Sequence, residues 1–398
     1  MTTSNPRIRL AVVGSGIIGR HQAKAALAQG DFEVAAFIDD TLGQATEAAD
    51  AVETAGHPRP VAARTIAEAL AATAIDLFTI CTPSGLHVDL AEEALATGKH
   101  VVIEKPLDTT MPRARRIAQA AAEARRNGAM VSVISQHRVD PASVLVTKTA
   151  HDGGFGRVTS GVCSVAWYRS QGYYDSGAWR GTWALDGGGA VSNQGVHTVD
   201  LLVWALGRPV EITATTALLG HERIEVEDVA VATVRFESGA LGVIHCTTAA
   251  YPGLSARYAV YGTHGSAVIE DDRLAYFHAA PPSSTLASAS TTGNSPAAEG
   301  AGDQKAGLVP PEHSTDGPAE KDHFLAGHIR QYADLSGAIR DQREPAVTVE
   351  AALLTLATVR GLYLSATLGR PIRIDDVLAG EYDGEPEHNS DPIEGVAR

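Results

Sequence analysis

The first 130 residues alternate between short apolar runs and longer segments whose apolar positions have a helical spacing. The apolar runs predict strands at residues 9–13, 32–38, 61–63, 75–81 and 100–103. Helices are predicted between them, around residues 23–27 and at 41–55, 66–71 and 88–97. Strands that alternate with helices of this length form parallel βαβ units with both sheet faces covered. We therefore expect residues 1–130 to form a doubly wound α/β domain.

After residue 130 the pattern changes to longer runs in which apolar and polar positions alternate. This alternation predicts strands at residues 158–168, 211–219, 229–236, 241–248, 257–261 and 267–270, followed by helices at 324–339 and 349–368. Turn residues at Ser238-Gly239 and from Gly262 to Gly265 indicate hairpins, so sequential strands are expected to pair as a meander. Residues 131–378 are thus expected to form an α+β domain with a mostly antiparallel sheet, helices on one face and a second subunit on the other.

Two segments lack the large apolar residues that a packed core requires. Residues 279–320 are rich in Ser, Ala, Pro, Gly and Thr, which predicts a flexible loop. Residues 379–398 are acidic with interspersed Gly and Pro and are predicted to be a disordered tail. Ordering such segments costs conformational entropy that their few apolar contacts do not repay.

The composition narrows the class of protein. The chain has 398 residues, is 44% hydrophobic and carries a formal net charge of −15. Nucleic-acid binding is not expected, because phosphate contacts need clustered Lys and Arg, and an uncharged small molecule fits this balance better. Cys81, Cys163 and Cys246 are far apart, so neither disulfides nor a thiolate zinc site is indicated and a reducing cytoplasm is expected. The first apolar run is too short for a signal peptide or a membrane span.

A glycine-rich turn follows the first predicted strand. Its residues Gly14, Ser15, Gly16, Ile17, Ile18 and Gly19 satisfy G-x-G-x-x-G, the pattern of a dinucleotide-binding turn. Asp39 stands about 20 residues further on, at the end of the next strand, where a carboxylate binds the ribose hydroxyls and favours NAD over NADP. Asp40 takes this role if the strand register differs by one residue. A flavin site, or a turn that no longer binds a cofactor, is the alternative.

Further candidate residues follow the fourth and fifth strands, at the edge of the sheet where ligands of such domains bind. Cys81, Thr82 and Pro83 are expected to line the nicotinamide side. His87 is assigned as a cofactor contact, with contact to backbone groups at a helix start as an equal alternative. Glu104 and Lys105 follow the fifth strand, and a partly desolvated Lys105 ammonium could stabilise an alkoxide as a hydride leaves.

A third group of candidates opens a predicted helix in the second domain. The segment Asp186-Gly-Gly-Gly189 precedes it, and spacings of four and three place Asn193, His197 and Asp200 on one helix face. His197 could accept a hydroxyl proton, because imidazole titrates near neutral pH. A metal site of His197, Asp200 and Asp186 matches no strong spacing signature, so no metal is expected.

Several separated motifs resemble the glucose-fructose oxidoreductase, inositol dehydrogenase and rhizopine catabolism (Gfo/Idh/MocA) family. They are the Gly14 to Gly19 turn, Glu104-Lys105-Pro106, Gln136-His-Arg138, Trp179-Arg-Gly-Thr-Trp183, the Gly187 to His197 segment, His328-x-x-Gln331 and Arg370-Pro371. The resemblance implies an N-terminal Rossmann domain, a C-terminal open-faced sheet used to form a homodimer or homotetramer, and catalytic roles for Lys105 and His197.

The resemblance also implies a substrate site for a sugar or polyol. The residues expected there are Gln136, Arg138, Tyr173, Tyr174, Trp179, Arg180, Trp183, Asn193 and His197. Many members carry Asp four residues before the histidine, whereas this chain has Asn193, a variant similar to that in nucleotide-sugar 3-dehydrogenases. An amide cannot raise the pKa of His197 as a carboxylate would.

These inferences predict an NAD-dependent dehydrogenase acting on a secondary hydroxyl of a sugar, glycoside, nucleotide sugar or inositol. Lys105 would polarise the oxygen and His197 would relay the proton. Two alternatives remain: a redox-neutral glycosidase or lyase that recycles bound NAD, and a non-catalytic NAD-sensing regulator.

Overall fold

The computed structural model describes residues 6–280 and 302–385. The chain divides into two compact units. The first contains residues 6–139, 184–187 and 321–356, and the second contains residues 140–183, 188–280, 302–320 and 357–385. The division therefore differs from a single boundary at residue 130, because two later segments return to the first unit.

The first unit is built on a six-stranded parallel sheet. Its strands are β1 Ile8–Val13, β2 Phe32–Ile38, β3 Val61–Ala63, β4 Leu77–Ile80, β5 His100–Ile103 and β6 Val131–Val133, in the spatial order β3-β2-β1-β4-β5-β6. Its helices are α1 Ile17–Gln29, α2 Leu42–Thr54, α3 Ile66–Ala72, α4 His87–Ala96, α5 Met111–Arg126 and the later α9 His323–Asp341. This strand order is that of a Rossmann fold. In such a sheet the order in which the chain adds strands reverses between β1 and β4, and ligands bind at that point.

Helix α9 joins the first unit through the hydrophobic core. Tyr332 and Leu335 are fully buried in one cluster with Leu10, Val12 and Phe32. The rings of Phe32 and Tyr332 meet edge to face with centroids 5.2 Å apart. Sequence spacing alone does not reveal this packing, because α9 lies almost two hundred residues after β6.

The second unit contains an eight-stranded mixed sheet. Its strands are β7 Val158–Ala166, β8 Pro209–Ala217, β9 Val229–Phe236, β10 Leu241–Thr247, β11 Ala256–Gly262, β12 Gly265–Glu270, β13 Arg273–Ala279 and β14 Ile372–Arg373. Its helices are α6 Pro141–His151, α7 Gln171–Asp175, α8 Val196–Leu206 and α11 Ile374–Ala379. Helix α10 Val349–Leu368 contributes to both units. The predicted fold class is confirmed for both sheets.

The expected meander is wrong at one position. The hairpins β9–β10 and β11–β12 form as predicted, but β10 pairs parallel with β7, with Val243 opposite Val162. Strand β7 therefore separates two three-stranded meanders, giving the order β13-β12-β11-β7-β10-β9-β8-β14. Hairpin signals report only neighbouring strands, so they could not place β7.

One face of this sheet is covered by α8. A Cβ atom added at Gly161 of β7 would lie 2.8 Å from Leu202 of α8, so glycine permits the close approach. The opposite face exposes Val231, Leu241 and Val243. This asymmetry agrees with the predicted open-faced sheet.

The predicted loop and tail are only partly described. Residues 281–301 of the loop and 386–398 of the tail lie outside the described residues. Residues 302–320 follow strand β13, where Gln304 donates a backbone hydrogen bond to the Phe277 carbonyl at 2.7 Å. Helix α10 is long and apolar enough to cross a membrane by length and composition, as core helices also are, and 61% of its most apolar window is buried.

Candidate active site

The glycine turn follows β1 and has a different steric reason for each glycine. Gly14 has φ +94°, and a Cβ atom there would lie 2.7 Å from the Cys81 carbonyl oxygen. A Cβ atom on Gly19 would lie 1.9 Å from the Gly14 carbonyl oxygen. Gly16 has no heavy atom within 4 Å of its added Cβ position. Two glycines therefore permit packing, while the third leaves the backbone open to a ligand.

The N-terminus of α1 has no side-chain cap. Gly16 occupies the N-cap position, and no acidic residue lies in the first turn. The Ser15 hydroxyl oxygen is buried and has no hydrogen-bond partner among the described residues. Ile17 is 87% exposed. The free backbone N–H groups and the helix dipole at such an end bind phosphate groups.

Asp39 at the end of β2 contacts this turn directly. Its carboxylate accepts hydrogen bonds from the backbone N–H groups of Ser15 at 2.8 Å and Thr41 at 3.0 Å. The carboxylate stays partly exposed and has further lone pairs for ribose hydroxyls. The carboxylate of Asp40 accepts instead from the Thr41 hydroxyl at 3.1 Å. Asp39 is thus the acidic side chain that contacts the turn.

The loop after β4 is held by His87. Its ring nitrogens each lie 2.9 Å from a backbone carbonyl oxygen, that of Thr82 and that of Pro106. The imidazole is buried, and burial lowers its pKa. These contacts match the alternative role of His87, which joins the loops after β4 and β5. The Cys81 thiol is also buried, which raises its pKa well above the usual value.

Glu104 and Lys105 lie at the carboxyl end of β5. Glu104 is buried and accepts hydrogen bonds from the Gln22 side chain at 2.5 Å and the Lys105 backbone N–H at 3.1 Å. Burial raises the pKa of Glu104. Burial also lowers the pKa of the Lys105 ammonium. The negative charges of Glu104 and Asp186 act in the other direction and raise this pKa, but burial is the larger effect. Sequence reasoning missed Gln22, whose only signal is a polar residue on the buried face of α1.

The predicted helix that carries Asn193 and His197 begins with a π-helical turn. This turn spans Ala190–Gly195 and continues directly into α8. Asn193 and His197 are partly exposed, whereas Asp200 is buried and 5% exposed. The expectation that all three polar groups project from one face is therefore wrong for Asp200. Two accessible side chains remain, one helical turn apart.

Glu227 and Tyr363 hold the start of this π-helical turn, and sequence reasoning missed both. The Glu227 carboxylate accepts hydrogen bonds at 2.9 Å from Gly189 N–H, Val191 N–H and the Tyr363 hydroxyl. The Ser192 N–H donates to the Tyr363 hydroxyl at 3.2 Å, and the Ala190 N–H donates to the Glu227 carbonyl at 3.1 Å. Burial raises the pKa of Glu227 to about 7.

A close backbone approach makes this arrangement possible. A Cβ atom on Gly189 would lie 1.8 Å from the Glu227 carbonyl oxygen, so this position requires glycine. Gly189, the last glycine of the run before Asn193, is therefore explained by packing against Glu227.

The predicted substrate residues of the second unit fall into two groups. Tyr173, Trp179 and Arg180 are partly exposed, and the Arg180 guanidinium carbon lies 4.5 Å from each of the two ring centroids. Tyr174 is buried and its hydroxyl lies 2.9 Å from the Thr248 hydroxyl, while burial raises its pKa to about 12. The Trp183 indole donates to the Glu225 carbonyl at 3.0 Å. The first group is available to a ligand, whereas the buried Tyr174 supports the fold. Trp183 is partly exposed as well, and its indole hydrogen bond does not occupy the ring faces.

Gln136 and Arg138 lie in the first unit, in a short 3-10 helix after β6. Both are buried, and the Gln136 side-chain oxygen has no hydrogen-bond partner within the described chain. Gln331 of α9 fixes this region, because its amide accepts from Ser135 N–H at 3.1 Å and donates to the Val133 carbonyl at 2.8 Å. Among the predicted catalytic residues, Lys105 also belongs to the first unit, whereas Asn193 and His197 belong to the second.

Comparisons with known proteins match both units. Residues 8–135 match the oxidoreductase family model with an NAD-binding Rossmann fold, and residues 144–268 match the GFO/IDH/MocA C-terminal domain model. The inositol 2-dehydrogenase of Rhizobium meliloti is 29% identical over 271 residues, which are 67% of this chain and 76% of that protein. The expectation of an NAD-binding domain is thereby confirmed.

Two further relatives differ in how much they cover. The structure of the WlbA dehydrogenase from Bordetella pertussis, in complex with NADH and UDP-GlcNAcA, is 30% identical with a TM-score of 0.74. That match covers 93% of this chain and 98% of WlbA. A glycosyl hydrolase family 109 protein of Streptomyces coelicolor is 32% identical over 162 residues, which are 40% of this chain and 34% of that protein.

Proposed function

Because the chain belongs to the GFO/IDH/MocA family of NAD-binding oxidoreductases, we propose that it is a sugar or polyol dehydrogenase. It would oxidise a secondary hydroxyl of a sugar, glycoside, nucleotide sugar or inositol to a ketone, or catalyse the reverse reaction. The observation that carries this proposal is the position of Lys105, a partly buried ammonium at the same sheet edge as the glycine turn.

The first unit offers a fitting site for NAD. The α1 N-terminus and the buried Ser15 and Thr82 hydroxyls, which have no hydrogen-bond partner within residues 6–280 and 302–385, supply donors for the cofactor and its pyrophosphate. Asp39 would bind the ribose hydroxyls, and a carboxylate there repels the 2′-phosphate of NADP. Bound NAD supplies the hydride acceptor.

Lys105 would stabilise the negative charge that develops on the substrate oxygen. A half-desolvated ammonium interacts more strongly with an oxyanion than a solvated one, because the local dielectric is lower. Glu104 supports this role, since its charge opposes the loss of the Lys105 proton. Gln22 would position Glu104 through their hydrogen bond.

His197 would relay the hydroxyl proton, and Asn193 would orient either the imidazole or a substrate hydroxyl. Their accessibility on an otherwise buried helix start supports this assignment. Glu227 and Tyr363 would act as positioning residues, because they bind the backbone of the turn rather than the substrate.

The proposal is tested by incubating the purified chain with NAD or NADP and a panel of pyranoses, glycosides, nucleotide sugars and inositols. We expect reduced-nicotinamide absorbance to grow with NAD and one class of polyol. Absence of any signal with demonstrated NAD binding would contradict a dehydrogenase.

A redox-neutral glycosidase is the second candidate, favoured by the similarity to the glycosyl hydrolase family 109 protein. Such an enzyme would release a sugar from a glycoside while free NAD stays unchanged. Product analysis by chromatography, run beside the absorbance assay, separates the two candidates. A non-catalytic NAD sensor is less supported, because Lys105 and His197 are both present.

We also propose that the chain acts in the cytoplasm as a homodimer or homotetramer. The exposed Val231, Leu241 and Val243 lie on adjacent strands of the uncovered sheet face, where a second copy would bury them. Sedimentation of wild type and Val243→Lys tests this, since the variant should be monomeric. A monomeric wild-type chain would contradict the assembly.

A further inference from the structure

Two arginines of the second unit stack on the same tyrosine ring. The guanidinium carbons of Arg169 and Arg180 lie 5.4 and 4.5 Å from the Tyr173 ring centroid. Each also stacks on a tryptophan: Arg169 on Trp167 at 5.2 Å and Arg180 on Trp179 at 4.5 Å. Stacking engages the flat faces of the guanidiniums and leaves N–H donors at their edges for other partners.

A chain of hydrogen bonds joins these arginines to the π-helical turn. Arg169 donates to the Gln194 side-chain oxygen at 3.0 Å, and the Gln194 amide donates to the Tyr173 hydroxyl at 3.2 Å. Arg180 donates to the same hydroxyl at 2.8 Å. Gln194 directly follows Asn193, so this series of hydrogen bonds ends next to a candidate catalytic residue.

Neither arginine forms an ion pair with a carboxylate of residues 6–280 or 302–385. Arg223 differs, since it donates to the Asp175 carboxylate at 2.9 Å. Both cations stack on one ring and are partly buried, and like charges repel each other more strongly where solvent is partly excluded. A bound anion would remove this cost and accept the free N–H groups in charge-assisted hydrogen bonds.

The position of Arg169 is fixed from behind by buried polar groups. Its backbone carbonyl lies 2.7 Å from the His221 ring nitrogen Nε2. The other ring nitrogen of His221 lies 2.8 Å from the Asp228 carboxylate, and both side chains are buried. The Arg169 N–H also donates to the Thr248 carbonyl at 2.8 Å. The cation therefore belongs to an ordered site rather than to a freely moving surface side chain.

A cavity within the second unit provides space beside Arg180. Its volume is about 330 Å³, and its lining includes Arg180, Gly181, Ile224 and the carboxylate residues Asp175 and Glu225. The Asp175 carboxylate is paired with Arg223, which also lines the cavity, and the Glu225 carboxylate accepts a hydrogen bond from the Trp183 backbone N–H at 3.0 Å. The cavity can hold part of a polar ligand whose charge lies at the guanidinium.

We propose that Arg169 and Arg180 form a subsite for an anionic group of the substrate, either a sugar carboxylate or a phosphate. This inference rests on the proposed dehydrogenase function and narrows its substrate class. It favours the anionic members of the proposed substrate classes, such as a nucleotide sugar, over the uncharged molecule that the net charge of −15 suggested, because net charge does not describe two local cations.

The test measures probe binding to the NADH-loaded chain by isothermal titration calorimetry. The probes are D-glucuronate for the carboxylate, uridine diphosphate for the phosphate and D-glucose as the neutral reference. We expect at least one anionic probe to bind tenfold or more tightly than glucose. Whichever anion binds identifies the source of the charge, and failure of both to exceed glucose would overturn the proposal.

Arg169→Gln and Arg180→Gln should each weaken binding of that anion about tenfold or more, because a charge-assisted hydrogen bond is lost. Arg235→Gln in strand β9, whose guanidinium lies 3.6 Å from the Glu211 carboxylate, is the control and should bind as wild type does. Circular dichroism melting checks folding, and Arg169→Lys should retain part of the affinity since it keeps the charge. Equal affinity in all variants would refute the subsite.

Two further outcomes separate this inference from its premises. If the glutamine variants weaken NADH binding and leave the anionic probe unaffected, the guanidiniums serve the cofactor and the proposal is wrong. If a neutral polyol is oxidised and neither anionic probe binds more tightly than glucose, the dehydrogenase stands and the anionic subsite falls. Anion binding that depends on both arginines, without NAD reduction by any sugar, would instead retain the subsite and contradict the dehydrogenase.

Discussion

The two helix starts that carry the candidate site differ in whether side chains accept hydrogen bonds from their first backbone N–H groups. We call the start of α1 open and the π-helical turn before α8 closed. At α1 the N-cap is Gly16, and no side chain of the described residues caps the helix start. At the π-helical turn before α8, Glu227 and Tyr363 accept the N–H groups of Gly189, Val191 and Ser192. The first start keeps its backbone donors for a ligand, and the second uses them within the protein.

This difference indicates which groups act at each place. An open helix start binds an anion through backbone N–H groups, so its side chains can be small. At the closed start the N–H groups of Gly189, Val191 and Ser192 are already bound, so the proposed mechanism relies there on the side chains Asn193 and His197. The buried carboxylate that closes it costs desolvation, which is visible in the pKa of Glu227 near 7.

The largest effect is expected from opening the closed start. Glu227→Ala leaves the N–H groups of Gly189 and Val191 and the Tyr363 hydroxyl without their acceptor, at about 4 kcal/mol in the free energy of unfolding. Denaturant unfolding measures this loss, and turnover should fall while NAD affinity stays near wild type. Glu222→Ala, at an exposed acid of the same loop, should change stability by less than about 0.5 kcal/mol. Equal stability of the two variants would show that the closure is dispensable.

A second prediction concerns the pH dependence of the closed start. The folded-state pKa of Glu227 is raised from 4.5 to about 7. The stability that its protonation contributes is therefore present below pH 4.5 and is lost as pH rises through 7. By linkage the change is about 3 kcal/mol. The unfolding free energy of wild type, compared with that of Glu227→Gln, should therefore fall by this amount as pH rises from 4.5 to 8. A pH-independent difference would mean that Glu227 titrates normally.

A third prediction closes the open start. Gly16→Asp places a carboxylate at an N-cap in extended backbone geometry, with open space for its Cβ. The helix should be stabilised by a few tenths of a kcal/mol, whereas NAD affinity should fall about 100-fold through repulsion of the pyrophosphate. Gly43→Asp in α2, also with open space, is the control for affinity. Unchanged NAD binding in Gly16→Asp would place the cofactor elsewhere.

The open start was predictable from the sequence because its chemistry is local. Three glycines, a strand before them and an acid after the next strand lie within one βαβ unit. The structure adds only that Asp39, rather than Asp40, contacts Ser15. The Glu104-Lys105 pair was predictable for the same reason, since strand ends in a parallel sheet share one edge.

The closed start was not predictable, because its partners are remote in the chain. Glu227 lies 36 residues after Val191, and Tyr363 lies 171 residues after Ser192. A glutamate before a strand and a tyrosine in an apolar helix carry no signal of their own. The parallel pairing of β10 with β7 escaped prediction similarly, since hairpin signals describe adjacent strands only.

The central claim is that Lys105 acts in hydride transfer from a substrate hydroxyl. The most direct test compares Lys105→Met with Lys99→Met, a control just before the opposite end of β5, once a substrate class has been identified. NADH fluorescence titration should give wild-type affinity within about twofold for both variants, because neither contacts the pyrophosphate turn. Steady-state NADH formation should fall 100-fold or more in kcat/KM for Lys105→Met alone. Near-normal turnover of a folded Lys105→Met would contradict the account.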